Sequence, residues 1–310
     1  MISIFIPAPI MALLSFVILL ASLLAHFLAM LPFILLKALI PHARTRLILG
    51  DTLFRIGDHW VNTHKLLFRL MFPLQWNIEI NGELDRRASY LLICNHQSWL
   101  DIPIVFDLLH GRAPFPRFFL KQQLKWVPAI GMACWAMDFP FMQRHSRAAI
   151  AAKPELANED LEATRQACMI FRQRPATVVN FLEGTRFTEA KRIARHSPYR
   201  NLLRPKAGGM SFALNAMGDQ FAGLIDVTIA YEPTRHALLW SFLRGEQLHV
   251  QVHVNLRPIP QEMLAGDYAA DPAYREQFQN WINQLWRQKD ARLDHMQPRP
   301  QSQAQSAHYG

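Results

Sequence analysis

Charge is scarce in this 310-residue chain: Asp, Glu, Lys and Arg make up 18% of it, against roughly 25% in an average soluble protein. With 51% apolar residues there is ample material for a packed core, which excludes a disordered or low-complexity chain. The shortage is uneven, because residues 1–36 contain no Asp, Glu, Lys or Arg at all. Cysteine is also scarce. Cys94, Cys134 and Cys168 are scattered and odd in number, which excludes a disulfide framework and a closed zinc site and suits a reducing compartment. There is no H-E-x-x-H run, no paired cysteine ligands, no carboxylate cluster and no internal repeat, so no metal cofactor is expected.

What charge there is leans positive, with a net +9. That balance favours anionic partners: nucleic acid, an anionic membrane surface or phosphorylated substrates. The uncharged N-terminus favours the membrane. Residues 10–31 supply the roughly 20 apolar positions that a helix needs to cross the hydrocarbon layer, with Pro7 and Pro9 before them and Pro32 after. A cleaved signal peptide would want early positive charge and a shorter apolar core. The reading is therefore an anchor over 1–40, passing once or folding back at Pro32. Lys37, Arg44, Arg46, Arg55, Lys65 and Arg69 follow it, which places the bulk of the chain in the cytoplasm by the positive-inside rule.

A second helix is expected over residues 51–71, within an amphipathic segment 41–73. Asp51, Arg55, Asp58, Asn62, Lys65 and Arg69 make a polar stripe, and Leu53, Ile56, Trp60, Leu67 and Met71 the opposite face. Asp51 suits the cap and Pro73 the end. The helix either covers the main domain or lies in the membrane interface with Trp60 at headgroup depth. From residue 74 strands alternate with helices. Strands are expected at 76–80, 90–94, 118–120, 177–182, 224–231 and 248–256, with helices at 99–109 and 271–293. Leu161, Thr164, Cys168 and Phe171 also recur at helical spacing. The alternation argues for a layered α/β domain over 74–293, and the Gln- and Ser-rich residues 294–310 for an untethered tail.

Four stretches carry chemistry. In the first, Asn95-His96-Gln97-Ser98-Trp99-Leu100-Asp101 follows a strand. A loop running into a helix can fold Asp101 back onto His96, fix its tautomer and leave Nε2 to take a proton. The same residues fit a capping box, in which Asp101 merely satisfies helix N-terminal amides. In the second, Phe181-Leu182-Glu183-Gly184-Thr185-Arg186 ends a strand in a sharp turn. Its Arg186 suits a phosphate, with Glu183 steadying the guanidinium, or it is a surface turn with a local ion pair. In the third, Lys121, Lys125 and Arg144 flank the apolar run 126–137, either a wall for a greasy substrate with an anionic head or a buried helix with solvated ends. In the fourth, Arg204 and Lys206 precede Gly208-Gly209 and a helix start, where backbone amides can hold phosphate. Cys94, near His96, reads as an inert buried strand cysteine. His249 and His253 share one strand face, expected to be solvated. Arg186, Lys191, Arg192, Arg195, Arg200, Arg204 and Lys206 would serve a membrane-tethered nucleic-acid binder, but no nucleic-acid motif frames them and no nucleic-acid partner is expected.

Taken in order, the H-x4-D block at His96–Asp101, the block 131–144 ending in Arg144, and E-G-T-R at Glu183–Arg186 resemble the glycerolipid acyltransferase family, which includes 1-acylglycerol-3-phosphate acyltransferases. Residues 202–209 with Asp226-Val227-Thr228 are similar to the branch that also holds lysocardiolipin acyltransferases. Two positions depart from the pattern: Leu182 stands where proline is usual in the third block, and residues 225–229 lack the proline of the fourth. The resemblance implies a mixed sheet flanked by helices, preceded by a membrane segment at a bacterial inner membrane. It implies transfer of an acyl chain from acyl-CoA or acyl-carrier protein to the hydroxyl of a lysophospholipid, with no cofactor beyond that co-substrate. His96 and Asp101 would be catalytic, and Arg144, Glu183, Gly184, Thr185, Arg186, Lys121 and Lys206 would bind substrate. A transacylase or a lysophospholipid hydrolase using the same His and Asp is the alternative.

Overall fold

The computed structural model describes residues 3, 5–142, 153, 155, 162, 174–234, 236–264, 266, 268 and 271–296. Arg144, the helical spacing at Leu161, Thr164, Cys168 and Phe171, and residues 297–310 of the expected tail lie outside them.

The apolar N-terminus is one helix, α1 (Ala8–Leu39). Pro32 neither ends it nor folds it back. Proline removes a single N–H donor, and an apolar helix continues past it when the freed carbonyl is accommodated locally. Among the described residues α1 alone is long and apolar enough to cross a membrane. A short link leads to α2 (Ala43–Met71). It starts earlier than its polar stripe suggested, so Asp51 is not a cap. It lies mid-helix, where its carboxylate pairs with Arg174 at 2.7 Å. α2 packs along α1 and against α3 (Asp101–Leu109).

The remaining strands are β1 (Leu74–Asn81), β2 (Ser89–Cys94), β3 (Pro116–Phe118), β4 (Leu120–Lys121), β5 (Phe141–Met142), β6 (Thr177–Phe181), β7 (Phe221–Tyr231) and β8 (Leu248–Arg257). Six of them form a mixed sheet in the order β1-β8-β7-β2-β6-β3, while β4 and β5 make a separate ribbon. The strand expected at 118–120 is thus split between the two, with Phe119 at the break. β7, β2, β6 and β3 run parallel, and only β7–β8 is antiparallel. The uninterrupted apolar run of β2 follows from its central place. Tyr90, Leu92 and Cys94 enter one core with residues of α2 and α3, and Leu91 and Ile93 enter the other. A strand buried on both faces has no polar side to show. The second core is closed by α6 (Gly208–Met217) and α8 (Pro272–Met296). α5 (Glu189–Ala194) and α7 (Leu238–Leu243) are short connections, and α4 (Ile130–Ala136) packs on α1.

Three expectations change here. Residues 126–137 are not one buried helix: a short 3₁₀ turn (Gln122–Trp126) ends where the run begins and α4 covers only Ile130–Ala136, with Trp126, Val127, Ile130 and Met132 exposed. His253 is not on a solvated face: it is buried, with its Nε2 2.5 Å from Arg292 of α8. α8 continues to Met296, past the expected end at 293.

α8 is tied to the sheet by a buried cation. Lys289 Nζ donates to Asp226 Oδ1 at 2.5 Å and to Thr228 Oγ1 at 3.2 Å, and Arg257 Nε donates to Asp226 Oδ2 at 3.1 Å. Removing one member of a buried pair strands the other charge, at a cost of about 3–5 kcal/mol. Lys289→Met is therefore expected to lower stability by about 3 kcal/mol, measured by denaturant unfolding in detergent. An unchanged midpoint would show that Arg257 alone satisfies Asp226.

Candidate functional site

The site grows from the register of three parallel strands. Cys94 at the end of β2 pairs with Phe181 at the end of β6 and with Val227 in β7. His96 and Glu183 each stand two residues beyond the Cys94–Phe181 pair, so the two blocks leave the sheet side by side. This is the carboxyl edge of the parallel strands, where open α/β sheets bind ligands. Asn95 holds the exit of β2: its Nδ2 donates to Ile229 O at 2.8 Å and its Oδ1 accepts from Ile229 N at 2.9 Å. One side chain thereby does what a further backbone pair would have done.

The loop then turns His96 onto Asp101, with Nδ1 2.8 Å from Oδ2. A carboxylate only accepts, so Nδ1 carries the hydrogen and Nε2 is the basic edge. Among the described residues no hydrogen bond occupies Nε2. Phe181 stacks on the ring with centroids 4.2 Å apart and fixes its plane. Asp101, 0% exposed, opens α3. Its Oδ2 also accepts from Gln97 N at 2.7 Å and Ser98 N at 2.9 Å, and its Oδ1 accepts from Tyr231 Oη at 2.5 Å. The amides it holds belong to the loop before α3 rather than to the helix N-terminus, which has no side-chain cap, so the contact made is the orienting one and the capping box does not form as expected. Burial, with Asp101 beside it, pushes the Tyr231 phenol well above its ordinary range, so it stays protonated and donates. Tyr231 escaped the sequence reading. Its only trace there is a polar tip closing an apolar strand.

Glu183 lies beneath the turn it begins. It is 0% exposed; Oε1 accepts from His96 N and Oε2 from Leu203 N, each at 2.9 Å. Burial outweighs these two bonds and pushes its carboxyl up to about 7. It does not steady Arg186, because both oxygens serve backbone. Arg186 instead lies over the Trp99 ring, 4.7 Å from its centroid. Gly184 adopts φ +66, and its amide closes the turn on Phe181 O at 2.9 Å. A Cβ there would be strained by that φ and would come within 3.3 Å of the Lys206 side chain. Lys206 thus reaches the turn, held by its own amide on Leu182 O at 2.8 Å. Thr185 Oγ1 accepts from Lys191 Nζ at 3.0 Å, a cation missed as part of this turn because it sits in the next helix, α5.

The structure therefore brings together His96, Asp101, Glu183, Gly184, Thr185, Arg186 and Lys206. Lys121 sits on the separate β4–β5 ribbon, and no contact among the described residues joins it to His96; Arg144 is outside those residues. Burial pushes the Cys94 thiol well up and removes it as a nucleophile. The basic stretch after Arg186 is engaged internally, with Arg192 on Glu189, Arg204 on His196 O and Arg200 near Asp294.

Comparison with known proteins bears on this edge. The chain is 26% identical over 256 residues to lysocardiolipin acyltransferase 1 of Danio rerio, covering 77% of this chain and 60% of that protein. It is 27% identical over 215 residues to 1-acyl-sn-glycerol-3-phosphate acyltransferase 2 of Brassica napus, covering 66% and 50%. It is 24% identical over 251 residues to 2-acyl-1-lysophosphatidylinositol acyltransferase of Saccharomyces cerevisiae, covering 67% and 61%. The chain thus spans about half to three-fifths of the length of the curated relatives it matches. The crystal structure of the 1-acyl-sn-glycerophosphate acyltransferase PlsC from Thermotoga maritima superposes with a TM-score of 0.41 at 15% identity, covering 88% of this chain and 98% of that one. The family model described as Acyltransferase matches residues 77–232, just over half the chain. That span runs from β1 past Tyr231 and holds both turns of the carboxyl edge, and by it the chain belongs to the Acyltransferase family.

Proposed function

We propose that the chain transfers a fatty acyl group from acyl-CoA or acyl-carrier protein to the free hydroxyl of a lysophospholipid, 1-acylglycerol-3-phosphate being the favoured acceptor. The observation that carries this reading is the Asp101–His96 pair, whose open Nε2 stands beside a turn bearing exposed cations. His96 Nε2 takes the proton of the acceptor hydroxyl as its oxygen attacks the thioester carbonyl. The tetrahedral intermediate collapses, the C–S bond breaks, and the imidazolium returns the proton to the leaving thiolate. Asp101 holds the tautomer and stabilises the imidazolium. Arg186 and Lys206, with Arg144, bind the acceptor phosphate and so position its hydroxyl. Thr185 shapes the phosphate turn, Gly184 lets it close, and Glu183 positions it from below. The lysophospholipid names of the relatives support the acceptor class. We further propose that α1 anchors the chain in a bacterial inner membrane with the sheet on the cytoplasmic side, as the cations following the apolar run favour. Residues 1–40 would then be the anchor, 41–73 an interfacial segment and 74–293 the acyltransferase domain.

Three outcomes follow. His96→Ala should fold and stay in the membrane yet lose transfer by ~10²–10⁴-fold or more, followed with labelled acyl-CoA and a panel of lysophospholipids. Near-normal turnover, or release of free fatty acid by the unaltered chain at the transfer rate, would contradict the reading. Tyr231→Phe removes one donor from Asp101 and should slow turnover about tenfold, ~1.4 kcal/mol. An unchanged rate would show that Asp101 does not need this donor to hold His96. The third concerns Glu183, whose carboxyl is raised from 4.5 to about 7 in the fold. Between those values the folded chain keeps a proton that the unfolded chain has lost. Stability from this group is therefore present at low pH and lost as pH rises toward 7. Against Glu183→Gln, which cannot titrate, the unaltered chain should lose up to about 3 kcal/mol across that window in thermal or denaturant unfolding. Parallel curves would contradict the buried carboxyl.

A further inference from the structure

Between β4 and α4 the chain forms an apolar knuckle that no other part of the described structure covers. Leu124, Trp126, Val127, Ile130 and Met132 are all exposed, Trp126 to 81%. Lys121 and Lys125 are exposed in the same segment. The knuckle has a fixed shape. A Cβ on Gly131 would fall 2.3 Å from Lys125 O and 2.6 Å from Leu124 O, so backbone lies on backbone there. Ala129, two residues before it, holds φ +63, a conformation that a side chain disfavours. Clustered apolar exposure on a turn built this tightly marks an interaction surface rather than chance.

Its neighbour says with what. α4 packs on α1, and Lys37 near the end of α1 donates to Ala136 O at 2.6 Å and Asp138 Oδ1 at 2.8 Å, at and just past the end of α4. At that same end of α1, Leu35, Leu36 and Leu39 are exposed as well, so the body that carries the knuckle also carries exposed apolar side chains on the helix α4 packs on. We infer that residues 122–132 are a second membrane contact, seated in an anionic phospholipid interface beside the C-terminal end of α1. Trp126 lies at headgroup depth and Lys121 and Lys125 meet lipid phosphates. This rests on the reading of α1 as the anchor. It also ties the site to the bilayer: Phe139 N donates to Cys134 O of α4 at 2.9 Å, and an aromatic row continues from Phe139 through Phe118 and Phe181 to His96.

The test places a genetically encoded dansyl-bearing amino acid singly at position 126, at exposed Leu24 of α1 and at exposed Ile193 of α5, in the full chain reconstituted into phosphatidylcholine–phosphatidylglycerol vesicles. The probe at 126 should be quenched by brominated lipid and shielded severalfold from acrylamide relative to the probe at 193. Acrylamide quenching at 126 equal to that at 193 overturns the inference, and with lipid quenching at 24 it does so while leaving the α1 reading intact. Shielding at 126 from both quenchers means a protein covers the knuckle and likewise overturns it. Lipid quenching at 126 without any at 24 upholds the knuckle and sinks the α1 span. Quenching at 126 that is undiminished in pure phosphatidylcholine contradicts the part given to Lys121 and Lys125.

Discussion

One buried carboxylate organises the carboxyl edge of this sheet. Asp101 accepts from the His96 imidazole, from two backbone amides of the loop between them, and from the Tyr231 hydroxyl. A charge taken wholly out of water is tolerable only when its lone pairs are met. The loop and the end of β7 are therefore placed by the need to bring those donors to the carboxylate at the start of α3. The imidazole is one of the four, so its orientation is set by the same requirement. Glu183 repeats the device one strand away. Its two oxygens clamp the His96 loop to the segment before α6.

The parallel register is what lets two short carboxylate-centred loops cooperate. β2 and β6 end level with one another, and their last paired residues are Cys94 and Phe181. A slip of two residues would separate His96 from Glu183 and from its stacking partner Phe181. Asn95 guards against such a slip on the other side by pairing with both polar atoms of Ile229. On the proposed reading, the base and the phosphate turn keep a fixed spacing because three strands and two buried acids hold them, with α1 linked to the same body through Lys37 and Asp138.

Much of this is legible in the sequence. β2, β6, β7 and β8 announce themselves because short apolar or alternating runs bounded by turn residues have few other homes. The blocks at His96–Asp101 and Glu183–Arg186 stood out as chemistry on loops. What could not be read was long-range. Nothing local to Tyr231 says that its hydroxyl ends on a carboxylate 130 residues away, and nothing local to Glu183 says that it faces inward. His253 alternates like a solvated strand residue, yet α8 covers it. Pro32 and Asp51 misled for the opposite reason: both are strong local signals for ends, and packing of two long helices overrode them.

The most direct test of the account is the protonation pattern of one ring. Nitrogen-15 NMR of the chain labelled at histidine, assigned by loss of the His96 signal on substitution, reads which ring nitrogen carries hydrogen when the imidazole is neutral. Hydrogen on Nδ1 with a bare Nε2 is the predicted state, since Asp101 only accepts. A neutral ring with hydrogen on Nε2 would leave no base facing the acceptor and would contradict the account at its centre.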